Sequence, residues 1–228
     1  MNDIERFLSA PYHLQDGIFV VSETRGGDYW DDKSISPGEE DFSYLLGNFR
    51  FQRGVELGAG SGRCTRAFAA RCNKFIAQEP GHRALRYMVE ERGIRGVVRV
   101  ESQGVELPFK DESFDFAASI TVVEHIPNKE YEKWLSEVFR ILEPGGFFLI
   151  QNDAFVYRVL EKLHWYPKEP DPTHINMITP RALRKALHKA GFEIVREAHM
   201  PFYRLFGRRV PLDDILGTKG TLLCKKPG

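Results

Sequence analysis

The chain has 228 residues, of which 42% are hydrophobic and 28% charged, an ordinary globular balance with room for one sizeable domain. Lys plus Arg equals Asp plus Glu at 32 each, so overall charge does not direct the protein to nucleic acid or an acidic membrane surface. The acidic N-terminus "MNDIERFLSAPYHLQ" is no signal peptide, and apolar runs such as "FFLI" are strand-sized, too short to span a membrane.

Cys64, Cys72 and Cys224 contain no CxxC pair. If Cys64 and Cys72 share a helix they lie about 12 Å apart, beyond disulfide reach. Free thiols in a reducing, cytoplasmic setting are expected.

Residues 1–50 are rich in Gly, Asp and aromatics with no sustained period, and read as a leader that packs onto something else. From residue 54 short apolar runs alternate with amphipathic stretches: "GVELGAG", "RCTRAFAARC", "KFIAQEP", "HRALRYMVEERG", "VVRVES". That alternation predicts βαβ units and a mainly parallel, doubly wound α/β sheet. "SFDFAASITVV" reads as the next strand. In the following helix, "NKEYEKWLSEVFRILEPGG", Trp134, Val138, Ile141 and Leu142 share a face. Gly145 and Gly146 are expected to stop this helix before the strand "FFLIQND".

Beyond the Pro- and aromatic-rich "HWYPKEPDPTHINMI", Thr179 and Pro180 supply an N-cap and first-turn proline for "PRALRKALHKAG". The strands "FEIVREA" and "TLLCKKP" follow, separated by "HMPFYRLFGRRVPLDDILG", which has no regular reading. The expectation is a single domain, 1–228, with a leader at 1–50 and insertions at 154–178 and 199–218. Those three irregular parts are where substrate specificity is expected.

Residues 55–62, "VELGAGSG", carry the spacing GxGxG rather than the dinucleotide fingerprint GxGxxG. Glu56 precedes the first glycine by two residues, where a carboxylate repels pyrophosphate and suits a cationic ligand. Glu79, at the end of the second strand, is placed to hold ribose hydroxyls. These residues alone leave NAD and S-adenosylmethionine both open.

The pattern E-x-G-x-G-x-G, followed by "LPF", "SFD", "VVEHI" and "RILEPGGFFLI", closely resembles the class I S-adenosylmethionine-dependent methyltransferases of small-molecule type. The resemblance runs over residues 40–198 and the last strand. It implies a Rossmann-like, seven-stranded, mostly parallel sheet with helices on both faces. It also implies cofactor contacts at Glu56, Gly58, Ala59, Gly60, Gly62, Glu79, Pro80, Gln103, Gly104, Ser119, Ile120 and Thr121. Trp30, with Tyr29, forms either a leader lid over the cofactor or core packing. Gln103 departs from the family, which usually places an acid there to accept a bond from adenine; an amide oxygen can still accept it.

Methyl transfer is an in-line displacement, and alignment can supply about 7–11 kcal/mol of the barrier, against on the order of 10²–10⁴ in rate from a general base. The candidate bases for a hydroxyl acceptor are His125 and His174. The former has an alternative reading as a packing residue, the latter as a loop anchor. Glu124 reads as part of a polar network. Arg204, Arg208 and Arg209 in "FYRLFGRRV" form either an anion site or a solvated basic face.

The absence of (N/D)PP(Y/F) after the fourth strand argues against DNA-base methylation. No zinc spacing is present, and "QND" after the fifth strand finds no partner acid in "AASIT", so no metal is expected. The resemblance, with the look of the tail "THINMITPRALRKALHKAGFEIV", implies a methyltransferase acting on a small-molecule or saccharide-type acceptor, at oxygen; no nucleic-acid or membrane partner is expected, and the oligomeric state is open. The rivals are a non-catalytic module of the same fold and an NAD-dependent reductase. The latter lacks a Tyr-x-x-x-Lys pair, since Tyr131 is followed by Glu132, Lys133 and Trp134.

Overall fold

The computed structural model describes residues 3–22, 42–153, 174–200 and 219–228. The strands are β1 (His13–Gln15), β2 (Ile18–Val20), β3 (Phe51–Leu57), β4 (Cys72–Glu79), β5 (Val98–Glu101), β6 (Phe114–Ile120), β7 (Leu142–Asp153), β8 (Glu193–Met200) and β9 (Lys219–Lys225). The α-helices are α1 (Ser43–Leu46), α2 (Thr65–Ala69), α3 (His82–Glu90), α4 (Tyr131–Ile141) and α5 (Pro180–Lys189). All nine strands join one sheet in the order β1-β2-β5-β4-β3-β6-β7-β9-β8. From β2 to β7 every pairing is parallel, whereas β1 and β9 run antiparallel to their neighbours.

The sheet is sandwiched because its strands are apolar on both faces. On one face Val55, Ile76, Ala117, Phe148 and Ile150 pack with Trp134, Leu135 and Val138 of α4 and Leu183 and Leu187 of α5. On the other, Phe51, Phe75, Phe116 and Leu149 pack with Leu45 and Leu46 of α1 and Phe68 of α2. Neighbouring positions along β6 and β7 fall in opposite clusters, as a period of two demands. Thr179 caps α5 as the sequence predicts, its side chain accepting from the Ala182 N–H at 3.2 Å. Arg140 of α4 holds the segment carrying "LPF": its guanidinium donates to the Leu107 carbonyl at 3.1 Å and the Phe109 carbonyl at 2.7 Å.

Three expectations are corrected. Among the described residues the sheet has nine strands rather than seven, because the leader contributes the β1–β2 hairpin, whose β2 pairs with β5 through Phe19 and Val100. Strands of three residues are too short to register a period in sequence. Gly145 and Gly146 lie inside β7 and do not terminate α4: Leu142 is already extended and pairs with Phe114. With φ at 83°, Gly145 accompanies an irregularity in the β6–β7 register, and its N–H donates to the Lys226 carbonyl at 2.9 Å. Cys64 and Cys72 do not share a helix, since Cys64 caps α2 and Cys72 opens β4; all three cysteines are free thiols. Among the described residues no helix is long and apolar enough to cross a membrane. Residues 154–173 and 201–218, with Arg204, Arg208 and Arg209, lie outside the described residues.

His82, opening α3, ties the leader hairpin down. Its Nδ1 meets Glu101 Oε2 at 2.6 Å and its Nε2 meets Asp16 Oδ2 at 3.2 Å. Burial lowers the imidazole's pKa, but the hydrogen bonds and charges of Glu101 and Asp16 outweigh it and leave the pKa raised. The charged form is therefore favoured in the fold, and its stabilisation is complete below the unfolded value of 6.5 and lost as pH rises through the folded one. Thermal melts between pH 6 and 9 should show the wild type losing stability relative to His82→Gln as pH rises. Equal pH dependence in the two proteins would refute the linkage. Phe116 is fully buried and stacks on Phe51 at 4.4 Å between centroids. Phe116→Ala should lower the urea-unfolding free energy by about 3–5 kcal/mol.

Candidate functional site

Parallel strands deliver all their carboxyl ends to one edge of the sheet, and a crevice opens there where strand order reverses. The reversal lies between β3 and β6: β4 and β5 succeed β3 toward one side, and β7 succeeds β6 toward the other. The described candidate residues fall on the last residues of these strands or on the connections leaving them.

The loop 58–62 follows β3. Gly58 (φ 72°) and Gly62 (φ 89°) adopt left-handed backbone, which glycine takes at little cost. A Cβ at Gly58 would collide with Val122, and one at Gly62 would come within 2.7 Å of Ile94 and 2.8 Å of Met88. The N–H groups of Gly58 and Ala59 both donate to the Gln78 carbonyl at 2.9 Å. The side chain of Gln78 donates onward to the Ser102 carbonyl at 2.8 Å. Gln78 thus links the loop to the ends of β4 and β5, a role that sequence reasoning missed. Its only signal was a polar residue inside an apolar strand.

Glu79 lies buried at the end of β4, its Oε2 accepting from the Gly60 N–H at 2.9 Å and its Oε1 from the Gly81 N–H at 3.0 Å. Pro80 is half-buried between them. Both oxygens are fixed by backbone, and a carboxylate can accept about four hydrogen bonds in all.

Glu56 is also buried, its Oε2 accepting from the Thr65 hydroxyl at the start of α2. Burial pushes its carboxyl up to about 8; the Thr65 bond and the Arg63 charge pull it down, and the charge of Glu79 raises it. Two acids therefore flank one glycine loop in a poorly solvated setting, an arrangement that favours a cation.

Gln103 and Gly104, past the end of β5, are exposed, and the Gln103 N–H donates to the Ser22 hydroxyl at 2.8 Å. The leader thereby reaches this side of the crevice; Trp30 and Tyr29 lie outside the described residues. Ser119 and Ile120, the last residues of β6, are buried, and the Ser119 hydroxyl has no hydrogen-bond partner among the described residues. Thr121 turns the chain with φ at 55°, an outlier for a β-branched residue. It is secured by its N–H to the Gln151 carbonyl at 2.9 Å and by its hydroxyl to the Ile120 carbonyl at 2.7 Å.

That turn leads into a short 3₁₀ segment, Val123–His125, which carries Glu124 inward and leaves His125 exposed. The Glu124 carbonyl accepts from the N–H groups of Ile175 (2.8 Å) and Asn176 (2.9 Å). This clasp brings His174 beside His125, with ring centroids 5.0 Å apart at 65°. Glu124 is fully buried, and one of its carboxylate oxygens faces the Asp153 N–H at 3.5 Å. The ligating atoms of Glu124, Asp153 and His174 lie within 4.8 Å of one another. Sequence reasoning found no acid to partner Asp153 because it looked within "AASIT". The acid stands four residues beyond the strand, where the turn at Thr121 folds it back.

A sequence model of the family described as the methyltransferase domain matches residues 36–197. An uncharacterised protein of Methanocaldococcus jannaschii is 27% identical over 178 residues, 77% of this chain and 81% of its own length. The ubiquinone/menaquinone biosynthesis C-methyltransferase UbiE of Vibrio vulnificus is 28% identical over 196 residues, 71% of this chain and 70% of its own. The solved structure of the N-methyltransferase NodS of Bradyrhizobium japonicum, in complex with S-adenosyl-L-homocysteine, covers 82% of this chain and 83% of its own. It aligns with a TM-score of 0.60 at 12% identity, a likeness of fold alone. With its family matched over residues 36–197 and its glycine loop at the reversal of a doubly wound sheet, the chain belongs to the methyltransferase domain family, the class I enzymes that use S-adenosylmethionine.

Proposed function

We propose that this methyltransferase acts on a small-molecule or saccharide-type acceptor, at oxygen, by in-line displacement. The observation that carries the reading is the pair of imidazoles, His125 and His174, meeting at 5.0 Å beyond the end of β6. A hydroxyl is a weak nucleophile until its proton is taken, and a ring nitrogen of either imidazole can take it.

The residues at the crevice fit the cofactor. Glu79, oriented by two backbone N–H groups, suits a ribose diol, and the buried carboxyl of Glu56 suits an ammonium group. The glycine backbone at 58–62 allows close approach, and Gln103, Gly104, Ser119, Ile120 and Thr121 line the adenine and methionine ends in this reading. S-adenosylmethionine supplies a methyl group already activated on a sulfonium. The protein's work is then to hold donor and acceptor in line, exclude water and take one proton. Selectivity for the acceptor is assigned in this reading to the leader 1–50 and the insertions 154–178 and 199–218.

A second reading, methyl transfer to carbon, draws support from the C-methyltransferase of Vibrio vulnificus to which the chain is similar. It calls for the same base on an acceptor ionised at an adjacent oxygen. Mass spectrometry of a metabolite extract incubated with isotopically labelled cofactor distinguishes oxygen from carbon products. A complete lack of label would leave the non-catalytic module standing.

Calorimetry should find S-adenosylmethionine binding to the wild type and its loss in Glu79→Ala; binding unchanged by that substitution would remove Glu79 from the site. His125→Ala and His174→Ala should bind the cofactor normally, and the one that supplies the base should lose about 10²–10⁴ in turnover. Normal rates in both would leave alignment as the sole catalyst.

The raised carboxyl of Glu56 has two consequences. Its protonated form is favoured in the fold, so unliganded stability declines as pH climbs from about 4.5 through about 8 and is level above that. A cationic ligand favours the ionised form, so its affinity rises as pH approaches about 8 from below and levels off above it. Glu56→Gln should flatten both profiles in melts and titrations. Profiles parallel to the wild type would show that Glu56 does not meet the cationic end.

A further inference from the structure

We propose that Glu124, Asp153 and His174 form a binding site for a divalent cation of the magnesium and manganese class. The donors come from three separate parts of the chain: the turn after β6, the last residue of β7 and the segment that precedes α5. They nonetheless place two carboxylate oxygens and an imidazole nitrogen within 4.8 Å of one another. Around a six-coordinate ion with bonds of about 2.1 Å, adjacent donors sit about 3 Å apart and opposite donors about 4.2 Å. The donors, already within 4.8 Å, have only to draw closer together to enclose such an ion.

Burial separates this cluster from the acidic groups common on surfaces. Glu124 is 0% exposed and Asp153 7%, so two carboxylates share a poorly solvated space and their mutual repulsion favours a positive charge between them. Mixed carboxylate and imidazole donors suit a hard or borderline divalent ion.

A second observation is independent of the three donors. Asn176 is 1% exposed, its backbone is bonded to the Glu124 carbonyl, and neither atom of its side-chain amide has a hydrogen-bond partner among the described residues. Buried amides are nearly always satisfied, and an ion with its bound water supplies partners in this neighbourhood. The backbone clasp on the Glu124 carbonyl holds His174 in reach before any ion arrives, so little ordering remains to be done on binding.

Three protein donors leave the other coordination positions to water or to an oxygen of the acceptor. That role rests on the methyl-transfer reading; the site itself does not. With His174 on the ion, His125 is the imidazole left to take the acceptor's proton.

The test is titration of manganese into the chelator-stripped full chain, without cofactor or acceptor, followed by calorimetry and electron paramagnetic resonance. A single saturable ion per chain is expected, showing nitrogen hyperfine coupling from His174 and displaced by excess magnesium. Asp153→Asn and His174→Ala, each verified as folded by circular dichroism, should weaken binding by at least the roughly 10–100-fold that loss of an outer-shell partner costs. His174 is only partly buried, so its truncation leaves the core intact, and the nitrogen coupling is read on the unsubstituted protein. Absence of manganese binding at millimolar concentration, binding without nitrogen coupling, or folded variants that bind like the wild type would each overturn the proposal. Because no cofactor is present, that failure leaves the methyl-transfer reading intact, whereas failure to bind S-adenosylmethionine refutes that reading alone.

Discussion

Strands β3 and β6 lie side by side and parallel, yet the chain leaves them toward opposite edges of the sheet. Among the described residues the connections after β3 and β6 diverge and leave a space between their carboxyl ends, and that geometric fact governs the site. The glycine loop comes from one strand and the Thr121 turn from the other. A side chain at Gly58 would strike Val122, so the two loops touch across the reversal and each limits the other's shape. One side of the crevice, built on β3, β4 and β5, gathers Glu56, Glu79 and Gln103. The other, built on β6 and β7, gathers Glu124, His125, Asp153 and the clasped His174.

Electrostatics follow the same division. Backbone N–H groups orient Glu79 and a hydroxyl orients Glu56, so the acids beside the glycine loop are held by short-range contacts within their own side of the crevice. On the other side two carboxylates and two imidazoles come together with Glu124 beneath the surface and His125 at it. The reversal keeps these two sets of groups apart.

How much of this was legible in sequence depended on whether the signal was local. The βαβ alternation, the cap at Thr179, the glycine spacing and the acid at Glu79 are short-range patterns, and each appears where the sequence placed it. The leader hairpin was hidden because three-residue strands carry no period and owe their existence to pairing with β5, distant in the chain. Gly145 and Gly146 read as a helix stop because glycine is equally at home in a strand irregularity, and only the register with β6 decides between them. The neighbourhood of Glu124 and Asp153 was invisible for a similar reason: it depends on a left-handed φ at Thr121, which β-branched residues seldom adopt and no propensity predicts. His125 and His174 could be named as candidates, but their meeting is a product of the clasp on the Glu124 carbonyl.

That clasp has a bearing on how the protein can change. Asp153 stands at one end of the stretch 154–173 and His174 at the other, and their ligating atoms are within 4.8 Å. The chain therefore leaves the site and returns to the same point, with its two ends pinned by β7 and by the Glu124 carbonyl. The entropy of closing such a loop grows only logarithmically, by about 0.6 kcal/mol for each doubling of length. Because those two ends are held by groups outside the stretch, Asp153 and His174 keep their places independently of the length of chain between them.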